Sequence, residues 1–275
     1  MNKINKLLEF AGFKKFGTKQ NQKLNLAIIK KTLKLKKDIL DARDYIVKDI
    51  VKLDKYEKLP PVYTITRFCT DIKSQGGLSS CGAFSLGAAY EVMRAKMNEQ
   101  SKYDVSELFI YYNSRSISGT VDSDSGIYLR DGCKAMQKYG SSLELAWPYL
   151  PIKFSCKPSI LAYLTGRFNR IESYYRCCTI KDIKLALSKQ IPVISGIEIY
   201  SNFLRYEKGI YNKISGNNIG GHAMLVVGYD DTKNAFLIRN SWGLLWGEKG
   251  YCWISYDIFE KCLMDAWAIV PFGWG

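Results

Sequence analysis

Apolar positions along this chain keep two different rhythms. From Cys81 to Met97 the residues Phe84, Leu86, Ala88, Ala89, Val92, Met93 and Met97 are spread around the whole circumference of a helix, the pattern of one buried on all sides. Gly82 and Gly87 lower its intrinsic propensity, so packing must hold it. Ser79 and Ser80, just ahead, are suitable capping residues. Shorter helices are predicted over 106–112, over 128–139 before Gly140, and over 180–189. Later apolar runs are short and bounded by turn residues, and predict strands over 192–200, 222–229, 235–240, 250–255 and 266–270. Residues 230–234, Asp-Asp-Thr-Lys-Asn, read as the turn that makes a hairpin of the second and third strands. Helices first and an antiparallel sheet second predict an α+β protein in two halves, with a cleft between them.

Ahead of this pattern the signal weakens. Residues 1–30 alternate Lys, Asn and apolar side chains, and residues 32–53 mix helical and extended preferences. Leu59-Pro60-Pro61 interrupts any helix and marks a boundary. The predicted organisation is a basic N-terminal segment, 1–60, and a main domain, 61–275, whose helical half covers about 61–165 and sheet half about 166–275. Charge follows the same division. The chain carries a formal +14, of which the first 60 residues supply +9, from 15 Lys and Arg43 against seven acids. Such a segment reads as a solvated tail, as an inhibitory pro-segment, or as a contact for acidic surfaces. No interleaved aromatics support base stacking, so nucleic acid binding through the tail is the weakest of these readings.

Composition narrows the class. A hydrophobic fraction of 47% with 24% charged residues is that of a globular protein. No apolar run reaches the ~18 residues of a membrane span. The first residues, MNKINKLLEFAGFKKFG, lack a long apolar stretch before a small-residue cleavage site, which argues against a secretory signal. The eight cysteines show no zinc-site spacing, and with a single histidine a metal site is not expected; mostly free thiols in a reducing compartment are.

Candidate chemistry centres on that histidine. Cys81 ends the run Gln75-Gly76-Gly77-Leu78-Ser79-Ser80-Cys81, His222 lies in Gly220-Gly221-His222-Ala223, and Arg239-Asn240-Ser241-Trp242-Gly243 follows. A thiol needs a base or an electropositive site to become a nucleophile at neutral pH. At a helix N-terminus Cys81 would feel the positive end of the dipole, and His222 could take its proton and later give it to a leaving amine. The Asn240 side-chain oxygen can orient the imidazole, and Trp242 can shield that hydrogen bond. Gln75 and the Cys81 backbone N–H can donate to a developing oxyanion. Each residue alone has a bland structural reading; the ordered set is what points to catalysis.

These three runs resemble the papain family of cysteine peptidases. The 75–84 run is similar to the family's nucleophile segment, His222-Ala223 with Val226-Val227-Gly228-Tyr229 to its histidine strand, and residues 240–251 to its asparagine segment. The histidine lies 141 and the asparagine 159 residues after Cys81, near the family's separation. Weaker likeness runs over roughly 60–270, and 41–45 with 107–129 lean toward the microbial and viral branch. The resemblance implies the two-domain papain fold, with a helical half and a β-barrel-like half. It also implies endopeptidase activity on polypeptides through an acyl-thioester, with no cofactor; the N-terminal segment lacks the family's long helical pro-region signature, and an inhibitory, zymogen-like role is expected of it from its charge and position. Carried over by motif, Cys81 is the nucleophile, His222 the acid–base partner, Asn240 the orienter and Gln75 the oxyanion donor. Ser125-Gly126 stands where the family borders its second subsite. Gly196, Gly221, Ala223 and Trp242 are placed around the cleft, and Asp265 at the pocket floor, where it would favour a basic side chain. Two departures stand out: Leu78 replaces a half-cystine, and Gly82 replaces a tryptophan after the nucleophile. A cytoplasmic or virion-associated protein is expected. The alternatives are an acyl transferase or isopeptidase with the same triad, and a non-catalytic binding protein on this fold.

Overall fold

The computed structural model describes residues 26–51, 58–98 and 103–273. The first 25 residues of the basic segment, with whatever contacts they make, lie outside the described residues. A helical turn over 26–31 and helix α1 (Val47–Ile50) belong to the N-terminal segment. The main domain contributes α2 (Cys81–Met97), α3 (Glu107–Ile117), α4 (Leu129–Tyr139), α5 (Ile160–Gly166), α6 (Ile180–Ser188) and α7 (Tyr256–Cys262). Its strands are β1 (Val62–Thr64), β2 (Ile171–Arg176), β3 (Val193–Tyr200), β4 (Ile210–Tyr211), β5 (Asn218–Asp230), β6 (Ala235–Arg239), β7 (Tyr251–Ser255) and β8 (Leu263–Pro271). They form one sheet in the order β2-β8-β3-β5-β6-β7-β4, with β1 paired to β5. Pairing is antiparallel throughout except for β4 with β7.

Strand β5 is the spine. From Gly221 to Asp230 every residue is buried, as a strand covered on both faces must be. Its register with β6 shifts between Val226 and Gly228; the Val227 carbonyl accepts the Ile65 N–H at 2.9 Å, beside the short strand β1. The predicted turn at 230–234 is present: Asp230 Oδ1 accepts the Thr232 N–H at 3.0 Å and the β5–β6 hairpin closes at Asp230 and Ala235.

Helix α2 runs through the middle of the molecule, with its first thirteen residues, Cys81 to Met93, all buried. That accounts for its apolar residues lying all round. Gly82 is needed by a neighbour: a Cβ there would stand 2.6 Å from the Ile127 side chain, which fills the space a larger residue would take. The capping expectation for Ser79 and Ser80 is not met. Ser80 is the N-cap residue but makes no side-chain cap bond; its hydroxyl and that of Ser79 are drawn to partners far away in sequence, described below. None of the eight cysteines is paired with another.

Part of the N-terminal segment packs on the main domain. Leu33 and Leu35 are buried, the Leu35 N–H donates to the Gly221 carbonyl at 3.1 Å, and the Lys36 N–H donates to the Ile127 carbonyl at 3.1 Å. Residues 33–38 thus lie between β5 and the start of α4, bridging elements of the two halves.

Candidate active site

The loop before α2 is sewn to the loop after β6. Gln75 N–H donates to the Ser241 carbonyl at 3.0 Å, Gly243 N–H to the Lys73 carbonyl at 3.3 Å, and Ser241 Oγ to Gln75 Oε1 at 2.8 Å. Gln75 Nε2 spends one N–H on the Leu78 carbonyl at 2.8 Å, which leaves it a second to donate. Asp124 holds the next residue: it accepts from the Ser79 N–H at 3.0 Å, from Ser79 Oγ at 2.9 Å and from the Tyr111 hydroxyl at 2.5 Å. The Tyr149 hydroxyl donates to the Gln75 carbonyl at 2.8 Å, so Ser80 Oγ is the donor in its 2.7 Å bond to Tyr149. These contacts deliver Cys81 as the first residue of α2, with its sulfur against the backbone N–H of Ala223, the residue after His222.

His222 lies on β5 and Asn240 directly after β6. His222 Nε2 and Asn240 Oδ1 are 2.8 Å apart. The oxygen can only accept, so Nε2 carries the proton and Nδ1 keeps its lone pair in the neutral ring. That Nδ1 is buried and has no hydrogen-bond partner among the described residues. Asn240 Oδ1 also accepts the Ser241 N–H at 2.8 Å, which fixes the amide. Trp242 stacks on the imidazole with ring centres 4.5 Å apart and planes at 27°, closing the hydrogen bond off from water. Phe203 and Trp246 pack behind Trp242.

Burial sets the resting electrostatics. It pushes the Cys81 thiol up to about 11, against the pull of the Ala223, Gly82 and Cys81 backbone N–H groups. It pushes His222 down to about 4, although the hydrogen bond to Asn240 works the other way. Burial thus disfavours the charged form of each group.

The residues expected to bind substrate lie around the docked segment. A Cβ at Gly196 would stand 2.5 Å from Leu35 Cδ2, one at Gly221 would stand 2.6 Å from the Leu35 carbonyl oxygen, and one at Gly126, whose φ is +69°, would meet the Lys34 carbonyl. Gly196 pairs with Ala223 across the β3–β5 ladder. Leu35 thus sits in an apolar recess whose walls lack side chains at Gly196 and Gly221. The Ser125 hydroxyl bonds to Thr120 Oγ1 at 3.0 Å. Asp265 stands opposite Gly196 in the β3–β8 ladder, as a pocket-floor position should, but its carboxylate is committed elsewhere. Arg176 Nη2 donates to its Oδ1 at 2.8 Å and the Asp38 N–H to its Oδ2 at 2.8 Å. The register shifts just there, and Met264, not Asp265, turns toward Gly196 and Gly221. This placement removes the free carboxylate on which a basic preference would rest.

Asp265 belongs to a cluster that fastens the segment. Asp38 accepts from the Arg130 N–H at 3.1 Å and from Trp267 Nε1 at 3.0 Å. Asp44 accepts from Arg130 Nε at 3.0 Å and Nη2 at 2.6 Å, and from Arg176 Nη1 at 3.1 Å. Burial raises the Asp38 carboxyl above its usual range and pushes Asp265 up to about 6. Sequence reasoning missed Asp124, Tyr149, Ser241 and Met264. Ser241 alone had a local signal, its place beside Asn240; the others act across long sequence separations or through a strand irregularity.

A cysteine at a helix N-terminus, its sulfur against the N–H of the residue after an imidazole that is bonded to an asparagine, has the components of a thiol hydrolase site. A model of the papain family cysteine protease matches residues 64–272. An uncharacterized peptidase C1-like protein of Acanthamoeba polyphaga mimivirus is 33% identical over 256 residues, covering 87% of this chain and 80% of that protein. A cathepsin L-like proteinase of Fasciola hepatica is 26% identical, and its match spans 62% of that protein's length. Among solved structures, xylellain, a cysteine protease from Xylella fastidiosa, superposes with a TM-score of 0.78 at 32% identity, covering 88% of this chain and 97% of its own. A proCathepsin B from Trypanosoma congolense shares the fold at 17% identity with a TM-score of 0.74, over 98% of this chain. This chain belongs to the papain family of cysteine proteases, and is a peptidase hydrolase.

Proposed function

We propose that the chain is a cysteine endopeptidase that cuts polypeptides through an acyl-thioester on Cys81. His222 Nδ1, with its free lone pair, takes the thiol proton; the sulfur attacks the scissile carbonyl carbon. The second N–H of Gln75 and the Cys81 backbone N–H receive the negative charge that develops on the carbonyl oxygen. The imidazolium returns its proton to the leaving amine, and a water activated by His222 then cleaves the thioester to the acid. Asn240 holds the ring throughout. The observation that carries this reading is the single-partner imidazole: Nε2 bonded to Asn240, Nδ1 unpartnered, and the sulfur beside the next backbone N–H.

Residues 33–38 act as an internal inhibitor in this reading. They occupy the recess where a peptide side chain would sit, and Leu35 models the occupant: the second residue before the cut is expected to be leucine-like rather than basic. An epoxide inactivator selective for papain-like thiols, followed by mass mapping, tests the nucleophile. Modification of Cys81 alone, with peptide hydrolysis lost in Cys81→Ala, is the expected result. Retention of more than about a hundredth of wild-type activity in that variant, against the several orders of magnitude expected for a lost nucleophile, would identify another nucleophile. A positional-scanning peptide library then separates leucine from arginine at the recess.

A further inference from the structure

Helix α5 is turned inside out. Its inward positions are small, Ala162 and Gly166, both buried. Its outward positions are large and apolar: Ile160 is 81% exposed, Leu161 58%, and Leu164 48%, and Phe168, two residues beyond the helix, is 81% exposed. Spacings of four and three residues set Leu164 beside both Ile160 and Leu161, and Phe168 follows in the turn after the helix. Nearby on the chain, Ile152 is exposed as well. A soluble surface scatters such residues singly; a contiguous set at this exposure marks a contact.

The charge around the face says which contact. Between Leu145 and Ile171 there is no acidic residue, while Lys153, Lys157, Arg167 and Arg170 are all exposed. None of the four makes an ion pair among the described residues. Lys157 and Arg167 line the same open groove of about 670 Å³ as Ile160 and Leu164, so cations and apolar side chains face one space. A protein partner that buried this face would have to be anionic and apolar at once over the whole patch. The surface of an anionic bilayer has that combination by construction: headgroup phosphates and carboxylates at the rim, acyl chains a few ångströms below. We propose that the face of α5, with Ile160, Leu161, Leu164 and Phe168 as the inserted residues and Lys157 and Arg167 as headgroup contacts, docks this protein on anionic lipid surfaces. The face lies on elements other than those that carry Cys81, His222 and Asn240, and the proposal does not depend on the reaction they perform.

Co-sedimentation of the full chain with vesicles of phosphatidylcholine alone, and with about a third phosphatidylserine, tests it. The expected result is binding to the mixed vesicles at least tenfold tighter than to the neutral ones. Ile160→Glu and Phe168→Ser should each weaken binding to the mixed vesicles about tenfold, as should the double change Lys157→Glu with Arg167→Glu. All these positions are exposed, and unchanged circular dichroism and peptide hydrolysis confirm that each variant is folded. Absence of binding by the wild type overturns the proposal. So does binding that Ile160→Glu and Phe168→Ser leave intact, which would assign it to the basic N-terminal segment. A dimer in sedimentation equilibrium that those two substitutions dissociate would also overturn it, since a second copy would then cover the face.

Discussion

Two ionic clusters of this molecule look alike but join different parts of the chain. Behind α2, Lys73 Nζ reaches Glu91 at 2.8 Å, Glu107 at 2.7 Å and Asp104 at 2.6 Å, and Thr70 Oγ1 donates to Glu91 at 2.5 Å while Arg239 donates to the Thr70 carbonyl at 2.7 Å. Beside the cleft, Arg130 and Arg176 hold Asp38, Asp44 and Asp265. The first cluster joins parts of the main domain to one another. The second has two of its three carboxylates, Asp38 and Asp44, on the N-terminal segment and ties it to the main domain. Ion pairs of similar length are thus expected to be permanent in one place and releasable in the other, and the difference lies in what the partners are attached to. In the first, burial disfavours the Lys73 ammonium, but the charges of Glu107 and Glu91 outweigh it and raise its pKa. Burial pushes carboxyls up in both clusters, Glu107 to about 8 in the first and Asp38 and Asp265 in the second.

The largest effect should come from the permanent cluster. Lys73→Met leaves Glu91 and Glu107 buried without their cation and should cost about 3–5 kcal/mol of stability. Urea unfolding followed by tryptophan fluorescence measures it; a midpoint within error of the wild type would make the two clusters equivalent and dissolve the comparison. Next, Arg130→Met should free the segment rather than unfold the protein. Losing charge-assisted hydrogen bonds of about 1.5–3 kcal/mol corresponds to roughly 10–100-fold weaker docking. The readout is a rise in kcat/KM on short peptides, with a smaller shift in the unfolding midpoint than Lys73→Met causes. Unchanged kinetics in a folded variant would leave the segment without an inhibitory role.

The smallest effect is the pH dependence, and its sign runs against the habit of expecting acid to open a closed protease. Asp265 is pushed up to about 6 in the docked state and Asp38 is raised as well, against an ordinary 3.8. Asp38 leaves its buried site when the segment undocks, so the docked form binds more protons than the undocked form around its raised pKa. Docking therefore strengthens as pH falls, so inhibition by the segment should be tighter at pH 5 than at pH 7. Asp265→Asn should flatten that dependence. A pH titration of hydrolysis, with a chain lacking residues 1–55 as the control for the active site itself, separates the two; stronger inhibition at pH 7 than at pH 5 would contradict the assignment.

Much of the candidate site was legible because its members sit in short motifs whose neighbours serve the same purpose: Gln75 and Cys81 in one run, Asn240 and Trp242 in another. The long helix and the central strands were legible for a different reason, since burial on all sides leaves an unbroken apolar record. What escaped was set by distance. The hydroxyls of Ser79 and Ser80 looked like caps because Asp124 and Tyr149, their actual partners, lie 45 and 69 residues on. Asp265 was placed at the right rung of the ladder, but Arg176, 89 residues back, claims its charge and an irregularity turns Met264 into the recess instead. Helix α5 was unreadable because its apolar residues point the wrong way for a core, and β2, with its run of Ser-Tyr-Tyr-Arg, lacks clean alternation.

Ser241 deserves a mechanical description. One residue gives its N–H to the amide oxygen of Asn240 and its hydroxyl to the amide oxygen of Gln75. The two amides that orient the proposed base and receive the proposed oxyanion are thereby mounted on a common bracket. Thermal jitter displaces them together, so their relative placement is quieter than the placement of either one against the solvent. The corresponding fragility is that one fault, a Ser241 side chain without its hydroxyl, lets Gln75 drift out of step with Asn240 while every residue that touches substrate is still in place.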